Sequence, residues 1–257
     1  MAHESEYDDA LVTLLELIWG EGYMAPGGEG NIEKIAEGLD MRDKRVLDIG
    51  CGLGGPALFL ARNRGANVVG TDLESQLVER ARRSAEKYGL EAKTEFQMVE
   101  PGPLNFPNES FDFAISSGAF TQISNKLEMF KEVLRVLKPG GVFSCYDWMK
   151  REGDYSKDMH YWFELEGLTY AMVTPEQHDA LLREAGFVDV TVEERSDWYR
   201  RKVKEEYEQL RDELYPRAVE LIGKQHADHR VENWRAMAVI CEKGELRQAY
   251  SRGHKPE

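Results

Sequence analysis

The residues best suited to chemistry are Asp48-Ile49-Gly50-Cys51-Gly52-Leu53-Gly54-Gly55 and, further along, Asp72. Glycines at the end of an apolar run let the chain turn sharply and let a ligand approach the main chain with no Cβ in the way. The spacing reads G-x-G-x-G, yet Gly55 also completes G-x-G-x-x-G, so spacing alone admits a dinucleotide or another nucleoside. Asp48 tips the balance. A carboxylate two positions before the first glycine repels a pyrophosphate and attracts a cationic amino group, which favours an amino-acid-bearing nucleoside. Asp72, 22 residues after Gly50, falls where it can accept hydrogen bonds from ribose hydroxyls.

These groups need strand ends to hold them, and the sequence supplies a succession of βα units. Strands are expected at 45–49, 67–71, 94–98, 111–116 and 142–146, with helices at 55–63, 74–88 and 126–137 between them. Lys138-Pro139-Gly140-Gly141 then stops the last helix and turns into the next strand. A further helix is expected at 174–185, with Pro175 and Glu176 in its first turn and Gly186 as its stop. Strands at 188–193 and 236–242 complete a seven-stranded α/β sheet with helices on both faces. Two regions break the rhythm. Residues 8–19 read as a helix followed by the glycine-rich loop GEGYMAPGGEGN, which can only cap the sheet. Residues 197–225, rich in Glu, Lys, Arg and Tyr, read either as an inserted helical lid over the strand carboxyl ends or as a solvated surface helix. The chain is expected to be one domain, with a cap at 1–40, a sheet core at 41–196 and 226–245, and the lid at 197–225.

VLDIGCGLGG, VVGTDL, FPNESFDFAISSGAF and VLRVLKPGGVF resemble, in order and separation, the successive motifs of class I S-adenosylmethionine-dependent methyltransferases. The resemblance covers roughly residues 45–145 and implies a Rossmann-like sheet with S-adenosylmethionine as cofactor and S-adenosylhomocysteine as product. It implies that Gly50 and Gly52 back the methionine portion, Asp72 holds the ribose, Leu73 and Val99 sandwich the adenine and Glu100 meets its edge. Ser116 and Ser117 would line the floor.

A narrower likeness lies in Trp19-Gly20-Glu21-Gly22-Tyr23-Met24-Ala25-Pro26-Gly27-Gly28, which is similar to the N-terminal segment of phosphoethanolamine N-methyltransferases that closes over both substrates. It places Tyr23 and Met24 beside the cofactor. In that family a tyrosine and a histidine form the catalytic pair; Tyr7 matches the tyrosine, and the histidine position falls on Gln122. Where the family has Arg-Asp, this chain has Ser117-Gly118. The phosphate-gripping positions fall on Trp148, Glu164 and Leu168, with one tyrosine kept as Tyr170. Bidentate phosphate recognition by arginine is not replaced by such side chains, so the scaffold carries over and the phosphobase acceptor does not. Gln122 cannot act as a base and is left to orient a substrate or water. Trp19, Trp148, Tyr161 and Tyr170 are the candidate acceptor-binding residues, because aromatic faces suit a forming ammonium as well as a sulfur nucleophile. Tyr23, Trp162 and Trp198 are further aromatics of these segments. His160, His178, His226 and His229 are candidate bases without a supporting motif, and no metal is expected.

The 257 residues carry 33 Lys+Arg against 47 Asp+Glu, a net charge of −14, which disfavours nucleic acid as a partner. No apolar run reaches the roughly 18–20 residues that span a bilayer, and MAHESEYDDA lacks the basic and apolar regions of a signal peptide, so a cytoplasmic location without membrane partners is expected. Cys51, Cys145 and Cys241 offer no disulfide framework and read as buried thiols. The leading expectation is a methyltransferase acting on a small polar amine or sulfur acceptor, with Tyr7 and Gln122 at the catalytic face. A nicotinamide-dependent oxidoreductase and a nucleoside-binding protein without catalysis remain as alternatives.

Overall fold

The computed structural model describes residues 7–257. Its seven strands are β1 (Arg45–Ile49), β2 (Asn67–Asp72), β3 (Thr94–Met98), β4 (Phe111–Ser117), β5 (Leu137–Lys150), β6 (Val188–Glu194) and β7 (Leu246–His254). They form one sheet in the order β3-β2-β1-β4-β5-β7-β6, with β7 antiparallel to both of its neighbours. β1 pairs in parallel with β2 on one side and β4 on the other, so the chain reverses its direction of winding there. In open α/β sheets such a switch point opens a crevice at the carboxyl ends of the strands. β1 and β2 are covered on both sides, which is why they read as nearly continuous apolar runs.

The helices α3 (Gly55–Arg64) and α4 (Ser75–Tyr88) lie on one face, and α5 (Lys126–Val136) and α7 (Pro175–Ala185) on the other. α3 is buried from Gly55 to Ala61, as an apolar helix wedged between sheet and cap must be. α7 begins at a capping box in which Thr174 and Gln177 satisfy each other's backbone N–H, with Pro175 in the first turn, and it ends at Gly186 with φ +109°. The cap is two helices, α1 (Asp9–Trp19) and α2 (Gly28–Ile35), so part of the expected glycine-rich loop is helical. The remaining helices are α6 (Lys157–Glu166), α8 (Ser196–Arg211), α9 (Tyr215–Ile222) and α10 (Lys224–Glu242); α10 packs on the other three, α8 and α10 touch β7, and α9 touches α1.

Three boundaries need correction. Residues 236–242, expected as a strand, belong to α10, whose buried Asn233, Met237, Ile240 and Cys241 follow helical spacing. A short apolar run is ambiguous between helix and strand, and here tertiary packing decides. Residues 226–245 therefore contribute no strand; α10 packs instead on α6, α8 and α9, so the inserted helical region is larger than residues 197–225. The seventh strand is instead β7, disguised by polar residues such as Gln248 and Ser251 that are nonetheless buried. The segment SRGHKPE is tied to the sheet: Ser251–His254 belong to β7, and the Lys255 N–H donates to the Gly141 carbonyl (2.8 Å). Lys138 to Gly141 bulge out where β5 leaves its pairing with Phe111 and resumes at Phe113, so this turn lies inside a strand longer than 142–146. The three cysteines are buried and free. No helix among the described residues is long and apolar enough to cross a membrane.

Candidate active site

β1 ends in a turn that only glycine serves well. Gly50 has φ +71°, and a Cβ there would lie 2.2 Å from the Ala119 Cβ at the start of the 3-10 turn Ala119–Thr121. Gly52 has φ +51° and sits under the Met24 sulfur of the cap loop. Gly50 and Cys51 donate their N–H groups to the Thr71 carbonyl at 2.8 and 3.0 Å, fastening the turn to β2. One turn further, the Gly52 N–H donates to Asp72 Oδ2 (2.8 Å) and the Glu74 N–H to Oδ1 (3.0 Å). Burial raises the Asp72 pKa, while these two N–H groups pull it back. Each carboxylate oxygen keeps a second lone pair for a ribose hydroxyl.

Asp48 lies beneath this turn and is wholly buried. Neither carboxylate oxygen has a hydrogen-bond partner among the described residues. Desolvation, with the Asp72 charge second, pushes its pKa up to about 7. An unpaired buried carboxylate is costly; it is relieved by a proton or by a cation brought to it. The glycine cradle and this orphaned anion fit a nucleoside carrying an α-amino group. They do not fit a pyrophosphate.

The adenine positions lie at neighbouring strand ends. Leu73 is 41% exposed beyond β2, Val99 is half-buried with its N–H on the Asp72 carbonyl (2.9 Å), and Glu100 is exposed. Met98, paired in register with Asp72, is 50% exposed and adds an apolar surface that sequence reading passed over. Its position at a strand end across from Asp72 was the available signal. Ser116 is wholly buried and donates to the Ile49 carbonyl (2.9 Å), so it fixes the β1–β4 junction and does not line a floor. Ser117 does face the cap: its hydroxyl accepts from Asn31 Nδ2 (3.3 Å), and Asn31 Oδ1 accepts from the Tyr250 hydroxyl (2.6 Å). That bridge from α2 to β7 left no trace in the sequence.

The candidate catalytic residues come together. The Tyr7 hydroxyl donates to Gln122 Oε1 at 3.2 Å across 115 residues. Tyr7 precedes α1, which is capped by the Asp8 side chain on the Leu11 N–H (2.7 Å). Gln122 closes the 3-10 turn, whose Thr121 N–H is held by the buried Asp147 carboxylate (3.0 Å). A phenol on a neutral amide orients a partner, and neither group is a strong base.

Beside Gln122 stands an aromatic wall. The Ala171 N–H donates to the Thr121 carbonyl (2.8 Å), placing Tyr170 next to the 3-10 turn. Tyr170 stacks on Trp162 with centroids 4.9 Å apart, and Trp148 meets Trp162 (5.8 Å), Tyr170 (6.5 Å) and Tyr199 (6.2 Å). The buried donors Trp148 Nε1, Trp162 Nε1 and Tyr146 Oη have no acceptor among the described residues. Tyr146 and Tyr199 were not among the sequence candidates.

Other candidates lie elsewhere. Tyr161 is 42% exposed on the outer side of α6 and donates to Glu232 (2.8 Å), so it is not brought to the wall. The Trp19 indole donates to Glu206 (3.0 Å) on α8, and Trp234 donates to the other oxygen (3.4 Å), a bolt joining α1, α8 and α10. Burial pushes Glu206 up to about 7. Tyr23 is buried against the cap, and burial raises its pKa. His178 is buried on the opposite side of the sheet with Cys145 and Ser251, its pKa lowered by burial to about 3. His160, His226 and His229 are exposed; His229 Nε2 lies 2.8 Å from the Leu165 carbonyl. Among the described residues no three His, Cys, Asp or Glu are grouped to hold a metal.

Residues 46–141 match a family model described as a methyltransferase domain. The chain is 26% identical over 241 residues to phosphoethanolamine N-methyltransferase 3 of Arabidopsis thaliana, covering 93% of this chain and 48% of that protein. It is 40% identical over 124 residues to a sterol 24-C-methyltransferase of Aspergillus fumigatus, covering 48% of this chain and 31% of that one. The chain thus spans about half the length of the plant relatives it matches. Among solved structures, phosphoethanolamine N-methyltransferase 2 of Haemonchus contortus, in complex with phosphomonomethylethanolamine and S-adenosylhomocysteine, superposes with a TM-score of 0.91. That alignment has 23% identity and covers 99% of this chain and 59% of the other. The nicotinamide-dependent oxidoreductase is withdrawn on the family match and on the orphaned Asp48. Residues 46–141 thus match a methyltransferase domain, and the chain as a whole shares the fold of a phosphoethanolamine N-methyltransferase of known structure.

Proposed function

We propose that this chain transfers a methyl group from S-adenosylmethionine to a small polar acceptor, an amine nitrogen or a thiol or thioether sulfur. The observation that carries this reading is the buried Asp48 carboxylate, unpartnered beneath a glycine turn that Asp72 fastens from the other side. Gly50 and Gly52 back the methionine portion, Asp48 receives its ammonium, Asp72 takes ribose hydroxyls, and Leu73 with Met98 and Val99 offers apolar surface to the adenine. Glu100 and Ser117 stand at the margins, and Tyr23 and Met24 close the cap over the turn.

When bound, the cofactor supplies a methyl group already activated by a sulfonium, so the protein has to align a nucleophile and exclude water. Tyr7 and Gln122 form the aligning pair, holding the acceptor in place through one hydroxyl and one amide. Trp148 and Tyr170, backed by Trp162 and Tyr199, pack against the acceptor. Aromatic faces stabilise a forming ammonium and also accommodate a polarisable sulfur. The absence of arginine at the clamp positions, with Trp148, Glu164 and Leu168 in their place, supports a non-phosphorylated acceptor.

The experiment is incubation with methyl-labelled S-adenosylmethionine and a panel of amines, phosphobases, thiols and thioethers, reading S-adenosylhomocysteine release and product mass together. Turnover on a non-phosphorylated amine or sulfur compound is the expected result. Turnover confined to phosphobases would overturn the acceptor assignment. Binding without turnover on any acceptor would favour the second reading, a nucleoside-binding protein without catalysis, for which Gln122 at the histidine position is the supporting observation.

A further inference from the structure

We propose that the groove between α1, α4 and α9 is a second binding site, built for a small organic anion with a short apolar chain, such as an alkyl phosphate. The chain as a whole carries a charge of −14, so a cationic groove is not what its composition leads one to expect. The groove encloses about 500 Å³, a volume that suits a small molecule.

Four cationic side chains line it. Arg80, Arg83 and Lys87 lie along one stripe of α4 at helical spacing, with Ser84 between them, and Arg217 faces them from α9. Two carboxylates line the same space, Glu16 and Glu21, while Asp9 and Glu220 reach Arg80 and Arg217 from beside it, so the cation left over is Arg83. Arg83 is exposed and makes no ion pair among the described residues. The pairs Lys87–Glu21 (2.6 Å) and Arg217–Glu220 (2.6 Å) are solvent-exposed and exchange readily for a better anion. Three guanidinium groups and an ammonium facing one space match the oxygens of a phosphate or carboxylate.

The remaining walls are apolar. Leu17, Leu53 and Leu221 line the groove, and Leu221 is 40% exposed at its mouth, which accounts for an alkyl segment on the ligand. The location also touches the cofactor turn. Leu53 belongs to that turn, and Glu16 holds Arg80 with one oxygen (2.8 Å) and the Gly22 N–H of the cap loop with the other (2.8 Å). The groove lies outside the site where methyl transfer is placed, so the proposal does not depend on that chemistry.

The test is calorimetric titration of octyl phosphate, inorganic phosphate and octanol into the whole chain without cofactor. Saturable binding of octyl phosphate, tighter than either inorganic phosphate or octanol, is expected. The double variant R83Q/R217Q should weaken octyl phosphate roughly tenfold or more, as expected for loss of charge-assisted contacts. K131Q, on the surface of α5, should leave it within about twofold. Both positions of the double variant are exposed, so an unchanged melting temperature verifies that it folds; L221S provides an independent probe and should narrow the gap between octyl phosphate and inorganic phosphate. Equal octyl phosphate binding by the wild type and R83Q/R217Q would overturn the proposal. Octanol binding as tightly as octyl phosphate would do the same, by showing that charge plays no part.

Discussion

The two ends of the crevice are built in different ways. On the side of β1 and β2, the site is made of consecutive residues: a strand, a glycine turn and one carboxylate at the next strand end, joined by backbone hydrogen bonds. On the side of β4 and β5, it is assembled from Tyr7, Gln122, Trp148, Trp162, Tyr170 and Tyr199, which are scattered over almost 200 residues and meet only in the folded chain. A site written in backbone geometry leaves its mark in local spacing. A site written in side chains on separate elements can change its specificity while the fold around it stays the same.

The sharpest break in that comparison comes from G50A. A methyl group at φ +71° against Ala119 combines backbone strain with overpacking, so we expect destabilisation of about 2–4 kcal/mol and loss of measurable S-adenosylhomocysteine binding, checked by thermal melting and calorimetry. A substitution on the other side, W148F, which trims a ring instead of adding a group, should leave cofactor binding intact.

The second prediction concerns pH. Asp48 titrates near 7 in the folded chain and near the ordinary aspartate value of about 4 when unfolded, so between those values the folded state holds the extra proton. Stability of the free chain therefore falls as pH rises from about 4 to about 7, and Glu206 contributes in the same direction. D48N should flatten part of this slope in melting curves recorded from pH 5 to 8. A cationic ligand needs the ionised carboxylate, so stabilisation by S-adenosylhomocysteine should increase over the same range in the wild type and stay level in D48N. An identical pH slope in both proteins would contradict the role given to Asp48.

Smaller effects are expected from the aligning pair. Y7F removes one hydrogen bond to Gln122 and should lower kcat roughly tenfold with little change in cofactor affinity, as steady-state kinetics on the acceptor found by the panel would show. The smallest effect belongs to Y161F, which loses only an exposed contact with Glu232; kcat and KM should stay within about twofold, while W148F raises KM. An effect of Y161F as large as that of W148F would return Tyr161 to the acceptor wall.

What could be read from the sequence follows the same division. Arg45–Ile49 begins and ends as its apolar run predicts, because a parallel strand buried on both faces leaves little choice, and the edge strand Thr94–Met98 keeps its expected bounds by alternating buried Thr94 and Phe96 with exposed Glu95. The placement of Asp48, Gly50, Gly52 and Asp72 was legible because it is set by two neighbouring strand ends and one glycine turn. The seventh strand was not legible, since β7 carries Gln248 and Ser251 in buried positions while the apolar run before it closes α10. Tyr161 and Trp148 were indistinguishable as aromatic residues; in the fold Tyr161 on α6 faces outward to Glu232, while Trp148 on β5 packs against Trp162 and Tyr199. Tyr7 and Gln122 were paired through family resemblance, and no spacing in the chain could have joined residues 115 apart. The Asn31 bridge between Ser117 and Tyr250 was beyond reach for the same reason.

The most direct test is calorimetric titration of S-adenosylhomocysteine into the wild-type chain and D48N at pH 8. Saturable one-site binding by the wild type is predicted, weakened roughly tenfold or more in D48N, where the ammonium loses its ionised partner. Equal affinity in the two proteins, or no binding by the wild type, would contradict the assignment of this turn as the cofactor site.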